Sequence, residues 1–133
     1  MSVRRVSILL FVLSIAALPL YGHHGRGATY DMKKRITLKG TVSRVDWRNP
    51  HVVIFMDVKD EAGKVTNWGF EMGPPHGLQG RGWTRETMKL GDEVLVNGSR
   101  AKNGSNRVNA RTVTMTKTGT VLGAASSEGT TNP

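Results

Sequence analysis

From Ile36 the chain alternates, with Ile36, Leu38, Gly40 and Val42 on one side and Thr37, Lys39 and Thr41 on the other. The apolar phase then moves by one residue, to Val45 and Trp47. A period of two predicts a strand with one buried face. A slip of one inside such a strand predicts a β-bulge, here near Ser43-Arg44. Gly40 suits sharp coiling, so this strand belongs in a closed or nearly closed sheet.

The rest of the chain supplies partners for it. His51 to Val58 reads as a second strand, with Val52, Ile54, Met56 and Val58 on one face and Val53 and Phe55 on the other. Asp60-Glu61-Ala62-Gly63 is a turn, and Val65 to Met72 returns with Trp68, Phe70 and Met72 inward. Gly73-Pro74-Pro75 breaks the sheet. His76 to Gly82 holds too much glycine for a long helix, while Thr84 suits the cap of one turn over Arg85 to Met88. Leu90-Gly91-Asp92 feeds a fourth strand through Val94 and Val96. Asn97-Gly98 and Lys102-Asn103-Gly104-Ser105 are loop signals. Val108 to Met115 is a fifth strand whose phase slips between Ala110 and Val113. The expected fold is all-β: a small five-stranded OB-like β-barrel over residues 35–118, with a short helical turn between strands 3 and 4. Residues 23–34 read as an extended arm. Residues 119–133 read as a disordered tail beyond a short pairing of Val121-Leu122.

Met1 to Gly22 has the three parts of a secretory signal: Arg4-Arg5, the apolar run Val6 to Leu18, and an exit ending on the small residue Gly22. The run is short of the roughly 20 residues of a membrane span, so the mature chain is expected to lack a transmembrane helix and to be periplasmic or secreted. Cysteine is absent, which excludes disulfides, thiolate metal sites and thiol catalysis. The formal charge is +9, and loss of Arg4 and Arg5 leaves +7. Lys and Arg are scattered singly apart from Lys33-Lys34-Arg35, a pattern of solubility that argues against specific nucleic-acid binding.

Chemistry concentrates in Trp47-Arg48-Asn49-Pro50-His51, a corner between two strands because Pro50 lacks an N–H and biases Asn49 away from the helical region. A second cluster is His23-His24. Cleavage after Gly22 makes His23 the N-terminus, and its α-amine and imidazole form a chelate. With His24 or His51 as a further nitrogen ligand, the set suits Cu(II). Enzyme readings fare worse: Ser43 and Ser99 lack a nucleophile-elbow sequence, and Gly25-x-Gly27 has no strand before it. Glu71 falls on the face opposite Trp68 and Phe70, so a role beside them needs a local twist.

The set His23-His24-Gly25, Tyr30-Asp31, Gly40-Thr41-Val42, Trp47 to His51, Trp68 with Glu71, Gly82-Trp83-Thr84-Arg85 and Lys89-Leu90-Gly91-Asp92 resembles a family of small exported bacterial proteins, domain of unknown function 6152. The resemblance runs from His23 to about Met115, and Leu90 stands where that pattern has Pro. It implies an exported single β-domain and no established activity.

The expected function is therefore that of a periplasmic, non-enzymatic binding module. Its expected ligand is Cu(II) or a similar divalent ion at His23, His24 and His51, with a rim of Trp47, Asn49, Pro50, Trp68 and Glu71. The alternative is an accessory domain of an envelope complex, in which the same rim contacts a protein partner and holds no metal.

Overall fold

The computed structural model describes residues 29–127. It contains β1 (Tyr30–Asp46), β2 (Val53–Lys59), β3 (Val65–Glu71), one short helix α1 (Pro75–Gln79), β4 (Glu93–Ala101), β5 (Arg107–Met115) and β6 (Thr120–Gly123). The sheet order is β3-β2-β1-β4-β5-β6, and a parallel pairing of β3 with β5 closes the first five strands into a ring. That ring order, with the helical turn between β3 and β4, is the OB-like connectivity expected from the strand pattern. β5 gives one edge to β4 and divides the other, residues 107–109 facing β3 and residues 112–115 facing β6.

Both phase slips are bulges. Along β1, Val42 pairs with Met56 and Arg44 with Phe55, so Ser43 is the extra residue. Along β5, Thr112 pairs with Asn97 and Ala110 with Gly98, so Arg111 is extra. Val42, Val52, Ile54, Met56, Phe70, Met72, Val94, Val96, Val108 and Val113 fill the ring, all of them buried. Gly40 lies where β2 crosses closely: a methyl group there would sit 2.7 Å from the carbonyl oxygen of Asp57.

Four local features depart from the sequence reading. β1 starts at Tyr30, inside the expected arm, with Tyr30 opposite Ala101 and Asp31 opposite Arg100 before the register jumps to Arg35 opposite Ser99. The short pairing expected at Val121-Leu122 is β6, but the tail beyond it is not loose, since Ala124 and Ser126 are buried. Asn97-Gly98 is not a turn but the interior of β4, because Gly98 admits the backbone of Asn109 and Ala110 where a side chain would collide. The helical turn is α1, started by Pro75 in the first turn, and not Arg85 to Met88. There Thr84 closes a local turn instead, its hydroxyl accepting from the Glu86 N–H at 3.2 Å. Residues 1–22, expected to be a signal peptide, lie outside the described residues, as do His23 and His24. Among the described residues no helix is long and apolar enough to cross a membrane.

Candidate functional site

β1 runs into Trp47 and a tight corner, and the chain re-enters the sheet as β2; the Asn49–Pro50 bond at that corner is cis. Val52 extends the β2–β3 ladder, its N–H donating to Gly73 O at 3.0 Å while Met72 N–H donates to Val52 O at 2.8 Å. His51 therefore leaves the ladder beside the end of β3. Val53 pairs with Glu71, which places the Glu71 carboxylate next to the corner.

The side chains converge there. Nδ1 of His51 lies 3.0 Å from Oε1 of Glu71, and the hydroxyl of Tyr30 donates to Oε2 of the same carboxylate at 2.8 Å. Tyr30 is buried, whereas the His51 and Glu71 side chains are 35% and 22% exposed. The pair thus faces solvent from a buried footing. Around it is an open recess of about 420 Å³ lined by Tyr30, Arg48, Asn49, Pro50, His51, Val53, Glu71 and Arg107. It lies between the β1–β2 connection and the start of β5, next to the loops by which OB-type domains take their ligands.

Charge in the recess is mixed. Arg48 approaches Asp46 at 4.0 Å, and Arg44 does so at 3.4 Å. Arg107 passes over Gly69, where a methyl group would meet its Nη1 at 2.7 Å, and its guanidinium lies 5.0 Å from the ring centre of Phe55. Arg44 covers Phe55 as well, at 3.7 Å. Cation–π contact of this kind fixes an arginine against the sheet. The recess-lining residues include no Ser, Thr, Cys or Lys, and what the recess offers chemically is an imidazole, a carboxylate and a phenol.

Of the residues singled out from sequence, His51, Asn49, Pro50 and Glu71 line this recess. Trp47 is half-buried and packs on the core. Trp68 belongs to the core itself, 9% exposed, with the guanidinium of Arg100 5.4 Å from its ring. His76 sits on α1. Glu71 needs no twist to reach His51: it lies outside the core as expected, and the corner brings His51 to that same outer side. Tyr30 and Arg107 were not anticipated at the site. Among the described residues no group of three His, Cys, Asp or Glu side chains is placed to share a metal ion.

The chain belongs to a family of unknown function (DUF6152), whose family model matches residues 11–110. The match begins ahead of His23 and spans every residue that lines the recess, from Tyr30 to Arg107. No curated protein and no solved structure matches.

Proposed function

We propose that this chain is an exported, periplasmic, non-enzymatic binding module that takes Cu(II), or a similar divalent ion, on nitrogen ligands at the rim of the His51 recess. The observation that carries the reading is the 3.0 Å contact between Nδ1 of His51 and Oε1 of Glu71. A histidine that ligates a metal through one ring nitrogen usually gives the other to a carboxylate, which fixes the ring and makes the ligating nitrogen more basic. Here Glu71 is itself held by Tyr30, so Nε2 is the nitrogen a metal would take.

One imidazole does not hold Cu(II), and the remaining ligands come from the N-terminus. His24 precedes Tyr30 by six positions, and six residues of extended chain reach about 20 Å. Tyr30 lines the recess, so the amine and imidazoles of a chain cut after Gly22 are tethered within reach of His51. Three nitrogens suit Cu(II) over Zn(II) by geometry and by the Irving–Williams order. Arg48 and Arg107 oppose any cation there, and Glu71 offsets them in part. That balance disfavours hard ions bound by charge alone and favours one bound through nitrogen.

The test is titration of the processed protein, starting at His23, with Cu(II), followed by electron paramagnetic resonance for nitrogen coupling. His51→Ala and one extra residue ahead of His23 should each weaken binding, and binding should fall as pH drops through the imidazole range because protons compete for the same nitrogens. Affinity untouched by both changes refutes the site. The rim of Asn49, Pro50 and His51 is then the contact surface of an accessory domain in an envelope complex.

A further inference from the structure

A second recess, of about 350 Å³, is lined by Asp31, Lys34, Arg100, Ala101, Lys102 and Gly104. It is built by the irregular start of β1. Asp31 pairs with Arg100 and Arg35 with Ser99, so Met32, Lys33 and Lys34 loop out without partners in β4. Lys102 follows at the end of β4, its backbone N–H donating to Thr29 O at 3.0 Å. The basic run Lys33-Lys34-Arg35 is thereby brought against a second basic pair, Arg100 and Lys102.

Three cations here face one carboxylate. Among the described residues no ion pair involves Lys34, Arg100 or Lys102, and Asp31 accepts a hydrogen bond from the Lys33 backbone N–H at 3.1 Å. Arg100 is braced over Trp68, yet its Nε is buried and has no hydrogen-bond partner. A buried donor on a charged group is costly to leave unsatisfied, and native structures rarely leave one so. Arg100 also lines the recess, so a small rotation of its side chain would let an acceptor in the recess supply the partner.

We propose that this recess binds a small tetrahedral oxyanion that carries a proton, namely hydrogenphosphate. A guanidinium approached side-on offers Nε and one Nη together, a fork that matches two oxygens of a tetrahedral anion. Lys34 and Lys102 supply point charges that need no fixed direction. Asp31 sets the choice of anion. Its carboxylate only accepts hydrogen bonds, so it repels an anion made of acceptors alone and receives the P–OH of hydrogenphosphate. Sulfate and phosphodiesters have no such proton near neutral pH. The site is separate from the His51 recess and shares no lining residue with it.

The experiment is NMR titration of the full processed chain with inorganic phosphate and, at matched ionic strength, with sulfate; vesicles of phosphatidylglycerol form a third arm. Phosphate should give saturable shifts confined to residues 31–35 and 100–104, with sulfate weaker by about tenfold. Arg100→Lys, which keeps the charge and loses the fork, should weaken phosphate by about tenfold or more. If that variant does not fold, the exposed Lys102→Gln and Lys34→Gln should still weaken it by about three- to tenfold each, and Asp31→Asn should close the gap between phosphate and sulfate. The proposal is overturned by the absence of saturable phosphate shifts, by equal binding of sulfate, or by shifts spread over all basic side chains. Vesicle binding without free-phosphate binding also overturns it, since diffuse attraction to an anionic surface then suffices.

Discussion

His51 lies in the β1–β2 connection and Glu71 at the end of β3, yet Nδ1 of one is 3.0 Å from Oε1 of the other. The β2–β3 register produces this contact. Val53 opposite Glu71 fixes the carboxylate two residues from the corner, and Tyr30 holds its second oxygen at 2.8 Å. In the proposed copper site Glu71 would act on the metal only through the ring it orients. Glu71→Gln keeps the shape and removes the charge, so Cu(II) affinity should fall by about 10- to 100-fold, the usual cost of losing such a partner. Titration of the processed protein measures it, and an unchanged affinity would detach Glu71 from the site.

Much of this ring was legible because alternation and its interruptions are physical constraints. The slips at Val42 to Val45 and Ala110 to Val113 became the bulges at Ser43 and Arg111. Tyr30 was hidden for a related reason. Three looped-out residues separate Asp31 from Arg35, so the alternation that announces β1 begins only after the aromatic that anchors the site. Arg107 carries no local signal, since what defines it is a glycine on another strand, Gly69, over which it lies. The pairing of Val121-Leu122 was legible, but the packing beyond it was missed because Ala124 is too small and Ser126 too polar to register as core, although both are buried.

Two glycines in this ring should respond to very different degrees to the same added methyl group. At Gly98 it would run into the Asn109 carbonyl and the backbone of Ala110, which cannot move without parting β4 from β5. Gly98→Ala should destabilise by about 1–3 kcal/mol or more. At Gly69 the first obstacle is the guanidinium end of Arg107, a flexible group. Gly69→Ala should cost under about 1 kcal/mol while lifting Arg107 from Phe55. Urea denaturation of both variants decides the comparison, and equal losses would show that the β4–β5 approach is not the tighter one.

Glu93 gives a small, signed dependence on pH. Its carboxyl is held below the ordinary glutamate range, first by the hydrogen bond from Lys39 and then by that from Thr116, while desolvation pulls the other way. Lys39 Nζ is 3.0 Å away and the Thr116 hydroxyl also 3.0 Å. A carboxyl with a depressed folded pKa stabilises the fold above its unfolded pKa, and that contribution is lost as pH falls through the folded value. Glu93→Gln should therefore lower the denaturation midpoint slightly at neutral pH and leave it unchanged at pH below the carboxylate range. Both partners are exposed, so salt should shrink the difference. A larger effect in acid than at neutrality would reverse the sign and refute the assignment.

Trp83 ties the C-terminal segment to the ring. It is 1% exposed, and its indole N–H donates at 2.9 Å to the carbonyl of Gly123, the last β6 residue paired with β5. Gly73 N–H donates to Ala124 O at 2.8 Å, Ala124 N–H donates to Arg111 O at 2.9 Å, and the Ser126 hydroxyl donates to Ala110 O. The segment thus covers the chain between β3 and β4 from one side while it completes the free edge of β5. Trp83→Phe keeps most of the apolar contact and strands the Gly123 carbonyl, a loss of about 1–3 kcal/mol. Trp83→Ala adds the cavity and should cost about 3–5 kcal/mol. Ending the chain at Gly119 exposes the same indole without altering it, and should destabilise at least as much as Trp83→Phe. Chemical denaturation followed by tryptophan fluorescence reports all three, and full stability in the shortened chain would show that the segment only rests on the ring.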